Sequence, residues 1–183
     1  MHVSHTMRHA AWNTMKKYPS FSDIDIIIAL GNPGPEYANT YHNAGALFVH
    51  FLRESPLATP PTVESLGVFM NVSGPAVRTF LRKDGIKPER ILLVHDDVDI
   101  PVGGYKLSFG SGAAGHHGVE SVIDSLGTKD FWRLRIGIAK TIVKPNGEVI
   151  KKKADTYVLK PISQTDTAHM QAAFEKAVEQ LQK

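Results

Sequence analysis

Apolar and polar positions divide the chain into short blocks of different period. Ile24 to Leu30 (IDIIIAL) is an apolar run with no helical spacing and a core of β-branched isoleucines, so it reads as a buried strand. Gly31, Pro33 and Gly34 stop it abruptly. From Asn43 to Glu54, Ala46, Leu47, Val49 and Leu52 recur at helical spacing, which predicts a helix with His42 near its N-terminus. Ser55 to Gly67 is a Pro-rich connector. Ser73 to Gly85 reads as a second helix with Val77, Phe80 and Leu81 on one face. Arg90 to His95 (RILLVH) is a second buried strand that ends in the acidic cluster Asp96, Asp97 and Asp99. Gly104 to Phe109 alternates like a strand, and the glycine-rich Gly110 to Gly115 leads into a helix over about His117 to Leu126. Leu134 to Ala139 is another apolar strand, and Gly147 to Lys153 places the basic run Lys151 to Lys153 in a loop or hairpin. Residues 162 to 182 form the last helix, with Met170, Phe174, Ala177, Val178 and Leu181 on its apolar face and Ser163 or Thr165 as its cap. Strands alternating with helices argue for one α/β domain.

Composition narrows this picture in four ways. At 183 residues the chain is about one domain with a sizeable core. It has no cysteine, which excludes disulfides, thiol catalysis and thiolate metal sites. No apolar stretch approaches the roughly 20 residues that cross a bilayer, so no membrane partner is expected. The net charge of +3 and pI near 9.1 are compatible with a nucleic-acid partner without being diagnostic of one. Residues 1–23 carry Arg8, Lys16 and Lys17 and no acid before Asp23, and they lack the long apolar core of a secretory signal. They read as an N-terminal extension, either an organelle transit segment or a piece without fixed structure, ahead of a domain over residues 24–183.

The candidate chemistry sits at strand ends. Open α/β sheets build their sites outside the carboxyl ends of the strands, which places Asn32 and His42 at that rim. A neutral imidazole can take a proton from water at physiological pH. Asp96 follows a buried strand, and a carboxylate there can fix an imidazole tautomer. Asp97 and Asp99 are expected to be solvated or to cap turns. Asn32 and Asn71 supply amides, which donate and accept without changing charge. Gly110 to Gly115 (GSGAAG) fits G-x-G-x-x-G, but it lies mid-chain and no ribose-binding acid follows, so a dinucleotide site is rejected. The run still allows close backbone approach at a helix N-terminus. A metallohydrolase built from His42, His95, His116, His117 and the aspartates lacks any H-E-x-x-H or similarly spaced ligand set. Arg133, Arg135, Lys106, Lys140 and Lys144 could line a groove for phosphates, although Lys140 and Lys144 read as scattered surface lysines.

The stretch LGNPGPEYANTYHNAG, Leu30 to Gly45, resembles the signature of the bacterial-type peptidyl-tRNA hydrolase family. Later islands agree in order: FMNVSG at Phe69 to Gly74, HDDVDIPVG at His95 to Gly103, and GAAGHHG at Gly112 to Gly118 leading to RLRIGIA at Arg133 to Ala139. The resemblance spans about residues 24 to 180. It implies a single three-layer α/β domain around a mixed, twisted sheet flanked by helices. It also implies hydrolysis of the ester that joins a peptide to tRNA, without metal or cofactor, by a monomer in the cytoplasm or the mitochondrion. By the same resemblance His42 is the general base, Asp96 orients it, and Asn32 sits beside it to tell a blocked peptidyl-tRNA from a free aminoacyl-tRNA. Asn71 binds substrate, Tyr37 and Phe69 contact the terminal nucleotides of the acceptor end, and Arg135 matches a phosphate-binding position. His116 matches a family histidine. The chain departs from the family at His117, where a substrate-binding Asn is usual, at Tyr41, where Arg is usual, and at Ser108, the other phosphate-clamp position. The family also has a longer stretch, with a strand pair, where this chain has Ser55 to Gly67, which puts one sheet edge and the placement of Asn71 in question, and it continues past the last helix. These departures motivate a second reading, a catalytically weakened RNA-binding relative that uses the same cleft for docking.

Overall fold

The computed structural model describes residues 17–55 and 60–183. The extension expected over residues 1–23 therefore lies mostly outside the described residues. Its last stretch, Phe21–Asp23, forms one turn of 3-10 helix with Asp23 buried.

A five-stranded sheet carries the domain, in the order β2-β1-β3-β5-β4. Its strands are β1 (Ile26–Ala29), β2 (Thr62–Ser65), β3 (Ile91–Pro101), β4 (Tyr105–Phe109) and β5 (Trp132–Ala139). Every neighbouring pair is parallel except β4 with β5. Helices α1 (Ala44–Glu54), α2 (Ser73–Asp84), α3 (His117–Leu126) and α4 (Gln164–Leu181) cover both faces. Each residue of β1 is buried. Ile27 and Ala29 join Leu92, Val94, Trp132 and Leu134 in the core beneath α1 and α4, where Phe48 meets Phe174 edge to face. Ile26 and Ile28 point the other way, with Ile91 and Leu93, toward Val77 and Leu81 of α2 and Val119 and Val122 of α3. The apolar run without alternation is thus a strand with helices on both sides, and the three-layer mixed α/β domain is the observed fold.

Two elements differ from the sequence reading. The Pro-rich connector contains a strand: Thr62 to Ser65 pairs in parallel with Ile26 to Ala29 and closes the sheet edge that was in question. Its four residues are half-buried or exposed, so the free edge of β1 supplies most of the reason for a strand there. The strand beginning near Arg90 does not stop at His95. It runs on to Pro101, and Asp96 and Asp97 pair with Ile136 and Gly137 of β5 before the register shifts. Asp97 is consequently buried rather than solvated, while Asp99 is exposed. The basic run belongs to a hairpin, β6 (Thr141–Val143) with β7 (Val149–Lys151). Ser163 is the cap of α4, its hydroxyl accepting from the Asp166 amide at 3.2 Å. Among the described residues no helix is long and apolar enough to cross a membrane.

Candidate active site

Strand order reverses between β1 and β3. From β1 the chain passes through α1 to β2 on one side, and β3 lies on the other. Crevices in open α/β sheets form at such a point, outside the carboxyl ends of the strands. Here a cleft of about 520 Å³ opens, lined by Asn32, His42, Asn71, Asp96 and His116 with apolar walls from Phe69, Met70, Val98 and Leu159.

His42 reaches this cleft because α1 lies hard against the sheet. A Cβ on Gly45 would collide with the carbonyl oxygen of Val94 and come within 2.8 Å of that of Leu30. The helix therefore starts in contact with the end of β1 and with Val94 within β3, and only glycine permits it. The backbone amide of His42 donates to the Val158 carbonyl at 2.9 Å. Its Nδ1 then lies 2.9 Å from Asp96 Oδ1. Burial works to raise the Asp96 pKa, but the hydrogen bonds from His116 and His42 prevail and hold the carboxyl far below the usual carboxylate range. Facing a carboxylate, His42 Nδ1 is the donor, so the lone pair sits on Nε2. Burial disfavours the charged ring, yet the bond and charge of Asp96 outweigh it and raise the His42 pKa.

His116 completes the group in a way the sequence did not show. It caps α3, its Nδ1 accepting from the Val119 amide at 3.2 Å. A ring nitrogen that accepts carries no proton, so His116 is the neutral Nε2–H tautomer. That Nε2 donates to the same Asp96 Oδ1 at 3.1 Å. Asp96 is thus held by two imidazoles on one oxygen.

Asn32 is fixed from three directions. Asn43 Oδ1 accepts from the Asn32 amide at 2.8 Å, and Asn43 Nδ2 donates to the Asn32 carbonyl at 2.9 Å. The Asn32 side-chain oxygen accepts from the Met70 amide at 3.0 Å, which leaves its Nδ2 donors for the cleft. Asn71 and Phe69 come from the turn ahead of α2, and Tyr37 meets Phe69 edge to face at 6.3 Å. Asn43 and Gly45 are the residues that the sequence reading left unassigned. The motif contains Asn43 and Gly45, but nothing local marks a buried clamp or a helix–strand contact.

The other expected residues divide. His117 opens α3 on the cleft rim with its side chain 86 % exposed, 3.6 Å from Glu120, so its ring does not fill the cleft. Arg135 is tied to Asp97 at 2.6 Å and is mostly covered, and Lys106 beside it on β4 is exposed. Arg133, expected on a phosphate groove, is instead 2 % exposed beneath the glycine-rich loop. The Ser108 hydroxyl, at the other clamp position, is buried and makes no hydrogen bond. Lys144 pairs with Glu148 on the hairpin. Lys140 is not a scattered surface lysine: it pairs with Asp166 at 2.8 Å and lies over the Tyr41 ring at 4.4 Å. Tyr41 is buried and donates to Asp166 at 2.5 Å, so Lys140 supplies a cation beside the position where the family has arginine. Ala114, in the loop that delivers His116, has φ 51°, a left-handed conformation that costs an alanine about 1 kcal/mol.

Among the described residues, His42, Asp96 and His116 are the one group of such side chains dense enough to hold a metal ion. Both nitrogens are aimed at Asp96 Oδ1 itself, at hydrogen-bond distance, so an ion would have to break both contacts. The arrangement suits proton transfer better than metal ligation.

Comparison with known proteins agrees with this geometry. A family model described as peptidyl-tRNA hydrolase matches residues 59–183. A peptidyl-tRNA hydrolase of Thiobacillus denitrificans is 38 % identical over 175 residues, covering 87 % of this chain and 83 % of the relative. One from Coxiella burnetii is 38 % identical over 170 residues, covering 85 % and 87 %. The crystal structure of peptidyl-tRNA hydrolase from Acinetobacter baumannii superposes with a TM-score of 0.73 at 29 % identity, covering 88 % of this chain and 90 % of that one.

Proposed function

The chain belongs to the peptidyl-tRNA hydrolase family, and from that premise we propose how its own residues cleave the ester of peptidyl-tRNA. The protein is a hydrolase acting on that ester, releasing peptide and free tRNA. His42 Nε2 removes a proton from a water, and the resulting hydroxide attacks the ester carbonyl carbon. Charge develops on the carbonyl oxygen, where the Nδ2 donors of Asn32 and the amide of Asn71 stabilise it. The carbon–oxygen bond to the 3′ ribose oxygen then breaks, and that oxygen takes the proton back from His42. Asp96 holds the ring in the productive tautomer and stabilises the imidazolium between the two transfers. Phe69 and Tyr37 offer an aromatic surface to the unpaired end of the acceptor strand, where bases can stack. Arg135 and Lys106 lie together on β5 and β4 and offer cations to its phosphates. All these groups come from one chain, which supports action as a monomer, and the substrate points to the compartment of translation, the cytoplasm.

The observation that carries this reading is the His42 Nδ1 to Asp96 Oδ1 contact at 2.9 Å at the mouth of an open cleft. The test is turnover of an N-blocked aminoacyl-tRNA by His42→Ala. A general base contributes about 10²- to 10⁴-fold, so kcat should fall by at least that much with tRNA binding retained. Wild-type turnover in the purified variant would overturn the assignment.

A further inference from the structure

Two ionisable side chains are sealed beneath the cleft and take no part in these steps. Arg133, on β5, is 2 % exposed, and His95, on β3, is 1 % exposed. Among the described residues, the side-chain hydrogen bonds of Arg133 go to neutral acceptors. Its Nη2 donates to the carbonyl of Gly112 at 2.8 Å, and its Nη1 lies 3.5 Å from His95 Nε2. His95 Nδ1 is 2.6 Å from the backbone carbonyl of Asp96. A carbonyl only accepts, so Nδ1 carries the proton and Nε2 presents its lone pair to Arg133. Burial, followed by the nearness of His116 and Arg133, pushes the His95 pKa well below the ordinary value, so the ring is neutral. Burial and then Arg135 lower that of Arg133 to about 10, which leaves it charged at neutral pH.

A buried cation whose hydrogen bonds go only to neutral acceptors, with Asp97 favouring its charge from a distance, is costly, and structural specificity is one thing it can confer. The two acceptors of Arg133 belong to different parts of the site. Gly112 is in the loop that delivers His116. His95 immediately precedes Asp96, and its ring meets that of His116 edge to face at 4.7 Å. One planar guanidinium therefore spans the two pieces of chain that bring His116 and Asp96 together.

We propose that Arg133, acting through Gly112 and His95, is a positioning residue that fixes how Asp96 Oδ1 is shared between His116 and His42, and thereby sets the basicity of His42. This rests on His42 being the base. When the span is cut, the loop carrying His116 draws back and its 3.1 Å bond to Oδ1 weakens. The charge of Asp96 then serves His42 alone, the imidazolium is favoured, and the His42 pKa rises.

The experiment is an NMR titration of isotope-labelled imidazoles, with the His42 signal identified by its loss in His42→Gln. Arg133→Gln removes span and charge together. Arg133→Lys keeps the charge but reaches only one of the two acceptors, and it carries the test if the glutamine variant does not fold. The His42 titration should move up by about half a pH unit or more in Arg133→Lys. The acidic limb of kcat/KM should follow it, with kcat reduced and KM little changed. A His42 titration that coincides with wild type, or moves down, would overturn the proposal whatever the rates do. A titration that moves up while the limb of the pH–rate profile stays still would support the positioning role and count instead against His42 as the base.

Discussion

Asn43 grips the backbone of Asn32 on both sides, its Oδ1 accepting from the Asn32 amide at 2.8 Å and its Nδ2 donating to the Asn32 carbonyl at 2.9 Å. The clamp joins the loop after β1 to the start of α1 and sits 3 % exposed. Asn43→Asp keeps the acceptor, loses the donor and leaves a charge facing the Asn32 carbonyl. Loss of a buried partner costs about 1–3 kcal/mol, so thermal or urea unfolding should show a drop of that size. Because Asn32 is displaced with its side chain intact, kcat should fall more than tRNA binding does. A variant with wild-type kcat and midpoint would show that the clamp is idle.

The pH profile follows from the directions of the shifts. The His42 pKa is raised above the ordinary 6.5, so kcat/KM should fall on the acidic side with a limb above that value. Asp96→Asn removes the anion that favours the imidazolium, so the limb should move to lower pH while kcat drops by about 10²- to 10⁴-fold. The same groups shape stability. The His42 contribution is complete below its unfolded value and fades as pH rises through the folded one. The Asp96 contribution, with its pKa depressed, is present above the unfolded carboxylate value and fades as pH falls toward the folded one. An acidic limb that stays in place in Asp96→Asn would contradict this coupling.

Gly45→Ala tests the contact that seats α1. The added methyl meets the Val94 and Leu30 carbonyls, which are backbone and cannot swing aside. Overpacking of this kind costs about 1–3 kcal/mol. The helix must lift from β1 and β3, so the His42–Asp96 distance lengthens and turnover falls together with the unfolding midpoint. An alanine variant as stable and active as wild type would mean that α1 does not set that distance.

Tyr41→Phe separates scaffold from chemistry. It removes the hydroxyl that donates to Asp166 at 2.5 Å and accepts from the Ser163 amide at 3.3 Å, while Lys140 and Ser163 still hold Asp166. Stability should fall by about 1–2 kcal/mol in urea unfolding, with kcat near wild type. A large loss of kcat with unchanged stability would place Tyr41 in the reaction.

Much of the architecture was legible because local patterns and packing agree. The isoleucine run of β1, the helical spacing of α1, α2 and α4, and the loop leading into α3 all appear where periodicity and glycines put them. Strand β2 did not, because Thr62 to Ser65 is extended chiefly through pairing with the edge of β1. Asp97 does cap the local backbone, its Oδ1 accepting from the Asp99 amide at 2.8 Å, but it is buried rather than solvated because the neighbouring strand supplies Arg135. The motif likewise placed His42, Asp96, Asn32 and Asn71 on one cleft.

The sequence by itself determined the order of elements, their apolar faces and the identity of the groups that can move a proton or hold a carbonyl, since these depend on residue type and spacing along the chain. Tertiary structure decided which nitrogen of each histidine carries its proton, that His116 shares the oxygen of Asp96, and that Arg133 is buried under the site rather than open to phosphate. Those properties come from distances between residues far apart in the chain, and a hydrogen bond is set by a few tenths of an ångström that only the packed fold fixes.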